Sequence, residues 1–136
     1  MKYFLAKTDP ETYSIDQLER EGTTTWDGVS NAQAVRAIQE MRPGDRIFIY
    51  HSMGQPQVVG LAKVVTEPEP DPRNSKSAVV DLQFLSRFDP PVTLAEIKDS
   101  KLFEDWALVR QSRLSTMAAP PEFVAWMKAL RPGAKI

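Results

Sequence analysis

The chain has 136 residues, enough for one domain with a real core, and its 42% apolar and 26% charged content is that of an ordinary globular protein. A formal charge of −1 argues against a strongly basic nucleic-acid coat protein but leaves room for a local basic patch. No cysteine is present, so there is no disulfide framework and no thiolate site, and a single histidine excludes the H-E-x-x-H metal motif.

The first stretch, "MKYFLAKTDP", has only a short apolar run before a charge and a proline. It reads as neither a signal peptide nor a membrane span, and nothing later approaches the 18 or so apolar residues a span needs. The expectation is a soluble, cytoplasmic protein with no membrane partner. "KYFLAK" reads as a strand ended by the turn "TDPE" at Pro10. Ser14 and Gln17 form a capping box that opens a short helix to about Glu21, closed by Gly22. "TTTWDG" reads as a loop. Ser30 and Gln33 have the spacing of a second box, followed by Val35, Ile38 and Met41 at helical intervals, and the helix stops before Pro43-Gly44.

Asp45 to Ser52, "DRIFIYHS", is a strand with apolar residues on both faces, which predicts cover on both sides. Val58 to Thr66 is the next strand, and Gly60 inside it marks a bulge or a close approach. "EPEPDPRNSKS" reads as a mobile or functional connection, too short for a domain boundary. Val80, Leu82, Phe84 and Phe88 alternate with polar residues in a strand with one wet face. Thr93 and Glu96 box a short helix ending near Ser100. "SRLSTMA" is a short strand, and Pro120-Pro121 starts a last helix with Phe123, Trp126, Met127 and Leu130 on one face.

This order predicts an α+β domain over residues 1–136, with a mostly antiparallel, bent or barrel-like sheet and helices outside it. No glycine-rich nucleotide loop is present. No cofactor and no metal site are expected.

The fragments "KYFLAKTDPETYSIDQL", "TTWDGVSNAQA", "MRPGDRIFIYHS", "VVGLAKVV", "EPDP" and "SRLS" occur in one order along nearly the whole chain. As an ordered set they resemble the EVE-domain family, the thymocyte nuclear protein 1-like group. The resemblance implies a PUA-like fold, a bent and partly closed β-barrel flanked by helices, akin to YTH, ASCH and SRA-type domains. It also implies a nucleic-acid partner, DNA or RNA, recognised through one modified base, plausibly a modified cytosine. The chain departs from the family's commoner form at Ser30, where many members have arginine. Ala32 and Phe4 replace aromatics common there, the latter tryptophan. The segment before Val80 is short and lacks a tryptophan often found there.

A pocket for a flipped base needs a flat apolar wall, donors and acceptors for the base edge, and cations for phosphate. Trp26, beside Asp27-Gly28 and outside any helical stripe, is the candidate wall, with a plug for the end of the barrel as the alternative. Asn31 offers an amide for a base edge, or else a helix cap. Lys7, Thr8, Asp9 and Pro10 end the first strand, which in the family's geometry faces the same pocket. There Asp9 would accept from a base amino group and Lys7 would contact phosphate; the alternative is a plain turn. Tyr50, His51 and Ser52 end the central strand, with His51 and Ser52 expected at the rim and Tyr50 packing beneath. His51 is equally a satisfied structural group by its type. Arg113 and Ser115 share a face of the late strand, Arg113 suited to phosphate or to a surface ion pair.

Adjacent residues on one strand point to opposite faces, so His51 and Ser52 make a poor base and nucleophile. The expectation is a binding module and not an enzyme. Two other readings stand beside it: a nucleobase or nucleoside sensor using the same pocket, and an RNA-processing enzyme.

Overall fold

The computed structural model describes all of residues 1–136. In chain order it contains β1 (Tyr3–Thr8), α1 (Ile15–Glu21), β2 (Thr23–Trp26), α2 (Ala32–Gln39), β3 (Arg46–His51), β4 (Gln57–Val64), β5 (Glu69–Asp71), β6 (Asn74–Thr93), α3 (Leu94–Asp99), α4 (Ala107–Arg110), β7 (Thr116–Ala118) and α5 (Pro121–Leu130). All seven strands join one sheet in the order β2-β6-β4-β3-β1-β7, with β5 paired to β6 off that path. The mixed α+β class and the single sheet agree with the sequence reading. The barrel holds only in part, because the hydrogen-bonded path runs from β2 to β7 without closing. α2 packs against both β7 and β6 and so bridges two separated parts of the sheet.

Five of the six strand pairings are antiparallel; the exception is β1 beside β3, with Leu5 opposite Phe48 and Thr8 opposite His51. That parallel pair needs a long crossover, which α1, β2 and α2 provide. It also places the C-terminal ends of β1 and β3 side by side.

β-branched and aromatic residues favour a pleated, buried strand, and Ile47 to Tyr50 are all buried. The Phe48 ring meets Phe123 of α5 edge-on at 5.2 Å and stacks on Tyr3 at 5.9 Å. Asp45 is buried at the start of this strand, and both its oxygens are used, accepting from the Lys2 N–H at 3.0 Å and the Arg42 N–H at 2.9 Å. Gly60 shows both features expected of it. The β3–β4 and β4–β6 registers shift beside it, and a Cβ there would lie 2.6 Å from Ile15 Cδ1 and 2.8 Å from the Ser86 carbonyl oxygen.

The capping boxes at Ser14/Gln17 and Thr93/Glu96 form with both of their reciprocal bonds. The third expected box does not. Asn31, not Ser30, caps α2, its Oδ1 accepting from Gln33 N–H at 2.9 Å and Ala34 N–H at 3.0 Å. An asparagine one residue nearer the helix reaches both amides, and the serine box is left unused.

Three further expectations are corrected. Residues 23–26 are a strand and not a loop, because β6 extends far enough to pair Trp26 with Val80 and Thr23 with Gln83. The connection "EPEPDPRNSKS" is largely a hairpin of β5 and the start of β6, its turn held by Asp71 Oδ1 accepting the Arg73 N–H at 2.8 Å. The late strand is confined to Thr116–Ala118, where β1 supplies a partner, and α4 precedes it.

Candidate functional site

The largest cleft, of about 660 Å³, opens beside the ends of β1 and β2. Its size lies within the range of small-molecule sites. β1 and the turn after it contribute Lys7, Thr8 and Asp9, followed by Thr12 and Tyr13. β2 contributes Thr24, Thr25 and Trp26, and the loop into α2 contributes Asp27 to Asn31. Arg113 and Ser115 close it from the segment before β7.

The loop between β2 and α2 is pinned from behind. Val29 is buried, and its carbonyl accepts a hydrogen bond from the buried Ser77 hydroxyl of β6. Gly28 turns at φ +75°, a left-handed value that glycine adopts without steric cost. Thr25 Oγ1 donates to Asp81 Oδ1 at 2.7 Å, which holds β2 to β6 on that side. Trp26 is half-buried and packs against the core while also lining the cleft. An indole supported on one side and open on the other suits stacking. Asn31 reaches the cleft after spending Oδ1 on the cap, so its amide N–H₂ is the group left for a ligand.

The Lys7 ammonium donates to the Ser112 carbonyl at 3.0 Å and lies 5.6 Å from the centre of the Tyr50 ring. Burial lowers its pKa. Tyr50, directly opposite Lys7 in the strand register, is buried beneath it as expected, and burial raises its phenol pKa. Thr8 Oγ1 donates to the Tyr13 carbonyl at 2.8 Å. Asp9 Oδ1 accepts the Glu11 N–H at 2.9 Å, an Asx turn that leaves its other oxygen for the cleft.

The structure gathers Trp26, Asn31, Lys7, Thr8, Asp9, Arg113 and Ser115 in one cleft. Pro10, Tyr50, His51 and Ser52 do not line it. Ser52 instead ties β3 to β1, its N–H donating to the Thr8 carbonyl at 3.0 Å. His51 sits at the entrance of α1, where its Nε2 accepts the Ile15 N–H at 3.1 Å. No three His, Cys, Asp or Glu side chains gather into a possible metal site.

Sequence reasoning missed Tyr13, Thr24 and Thr25. Tyr13 is a second aromatic at the cleft; its hydroxyl donates to Glu21 at 2.5 Å, and burial, then that carboxylate, raises its pKa. The threonine run carried a readable signal, since three β-branched residues before a tryptophan favour a strand.

A family model described as the EVE domain matches residues 2–130. The chain belongs to the EVE-domain family. Thymocyte nuclear protein 1 of Rattus norvegicus is 34% identical over 124 aligned residues, covering 71% of this EVE domain and 55% of the rat protein. The chain thus spans about half the length of that relative. The human THYN1 protein, solved in complex with 5-methylcytosine-containing DNA, superposes with a TM-score of 0.87 at 27% identity, covering 96% of this chain and 97% of the human one. A YTH domain from Zygosaccharomyces rouxii aligns with a TM-score of 0.59 at 14% identity, over 95% of this chain and 85% of the other. That likeness concerns the fold alone. No helix of the chain is long and apolar enough to cross a membrane.

Proposed function

We propose that this EVE domain binds nucleic acid and takes a single modified base, a modified cytosine, into the cleft beside Trp26. The observation that carries the reading is the convergence of three chemically different groups on one cleft: the half-buried Trp26 indole, the free amide N–H₂ of Asn31 and the Arg113 guanidinium. They match stacking, base-edge recognition and phosphate contact in turn. The complex of the human relative with 5-methylcytosine-containing DNA supports the same ligand class. The incompletely closed sheet is the form of the PUA-like barrel in this chain, with α2 lying across its open side.

The domain acts as a binder and not as a catalyst. Its one imidazole lies outside the cleft and uses Nε2 to hold a backbone amide, so it is not available there as a general base.

Short DNA strands carrying cytosine, 5-methylcytosine or 5-hydroxymethylcytosine at one position, titrated beside the free nucleosides, test the proposal. Tighter binding of a modified strand than of its unmodified counterpart is expected. Equal binding of all strands, or a free nucleoside that binds as tightly as the strand containing it, overturns it; the second result identifies a nucleoside sensor.

A further inference from the structure

We infer that the strand carrying the recognised base is held by one arginine in each of two grooves that adjoin the cleft, Arg113 and Arg73, and that the site engages two flanking phosphates of a single strand. The inference rests on the base-binding reading of the central cleft and adds the path of the backbone through it.

Two smaller grooves, which have no lining residue in common, adjoin the central cleft along the loop from Asp27 to Asn31. One, of about 300 Å³, lies along residues 110–114 and shares Asn31 and Arg113 with the cleft. The other, of about 160 Å³, lies at the β5–β6 hairpin and shares the loop from Asp27 to Ser30. A base seated against Trp26 therefore has two separate adjoining grooves for its sugar–phosphate chain.

Each groove offers one uncommitted guanidinium. Arg113 and Arg73 are exposed, and neither takes part in an ion pair. Arg110, also in the first groove, is engaged by Asp105 at 2.8 Å and by the Glu104 carbonyl at 3.0 Å. In the second groove Asp71 is buried and holds the Arg73 backbone N–H, which fixes the position from which the Arg73 side chain projects. Asp27 and Asp71 also line that groove and repel further phosphates. The charge pattern therefore fits one phosphate per groove and disfavours the two close-set backbones of a duplex.

The test uses the full chain and a five-nucleotide DNA strand with a central 5-methylcytosine, with affinity measured from low to moderate NaCl. Two phosphate contacts on a single strand give a slope of log affinity against log salt near about −1.4, at roughly −0.7 per contact. R73Q and R113Q are each expected to bring the slope toward zero by about 0.7. Replacing one flanking linkage by a neutral methylphosphonate should abolish the effect of one arginine, and replacing the other linkage should abolish the effect of the other. A slope unchanged by R73Q, or both arginines coupling to the same linkage, overturns the two-groove track while leaving strand binding itself intact. A wild-type chain that binds no strand overturns the base-binding reading together with the track.

Discussion

His51 and Ile15 meet at the entrance of α1, where the imidazole Nε2 accepts the Ile15 N–H at 3.1 Å. The Ile15 amide is one of the donors a helix leaves without an internal partner at its N-terminus, and the Ser14 capping box satisfies a different one, on Gln17. The lone histidine therefore joins the end of β3 to the start of α1.

This bond requires a neutral imidazole, since the protonated ring has no lone pair to accept with. Burial lowers the His51 pKa below its ordinary value of 6.5; Asp16 opposes that shift, Arg87 adds to it and Asp9 opposes it. The unfolded chain then takes up the proton before the folded one does. Stability from this group is fully present above pH 6.5 and declines as the pH falls through 6.5 toward the lower folded value. Denaturant titrations between about pH 7 and pH 5 should show this loss, and His51→Gln should flatten it. His51→Ala should cost about 0.5–1.5 kcal/mol at neutral pH. A wild-type stability that is level across this range contradicts the assignment.

Trp26→Ala should weaken binding of a 5-methylcytosine strand by about 1–3 kcal/mol, the usual worth of one stacked base. Trp26→Phe should keep part of that affinity. Fluorescence anisotropy and a thermal melt, run side by side, separate a stacking wall from a plug. Undiminished affinity in Trp26→Ala removes the indole from the site.

Asn31 combines two tasks on two atoms, and substitution can part them. Asp caps a helix as well as Asn does, so Asn31→Asp should melt close to wild type. It replaces the free amide donor by an acceptor and should bind the modified strand at least several-fold more weakly. Asn31→Ala should lose the cap as well, at a cost of about 1 kcal/mol. An Asn31→Asp chain with wild-type affinity shows that the amide does not read the base.

Gly60→Ala should be destabilising by about 1–3 kcal/mol, the range typical of overpacking. Ile15 Cδ1 can swing away from the new methyl, but the Ser86 carbonyl oxygen at 2.8 Å belongs to the backbone of β6 and can move only with the strand. Chemical denaturation measures the loss. An unchanged midpoint would mean that β4 and β6 separate there without cost.

The sequence by itself determined what depends on neighbours along the chain. The apolar runs read as strands at Asp45–Ser52 and Val58–Thr66, the boxes at Ser14 and Thr93, and the glycine at 60 all carry local signatures, and they formed as the strands Arg46–His51 and Gln57–Val64, two reciprocal caps and a close backbone approach. The ordered motifs likewise identified the family. Tertiary structure alone decided what depends on distant partners. The β-branched run Thr23–Thr25 favours a strand locally, but Thr23–Trp26 becomes one because the far-off β6 offers it a ladder, and backbone groups left beside a buried strand must be paired. Asn31 displaced Ser30 as the cap because capping depends on where the helix begins in space, not on the spacing of a motif. The parallel β1–β3 pair brought His51 to Ile15 and kept it out of the cleft. The same folding of distant segments onto one another placed Tyr13, Trp26 and Arg113 around one space, although Trp26 and Arg113 are far apart in the chain. A hydrogen bond or a stacking face acts over a few ångströms, and only the folded chain decides which residues come that close.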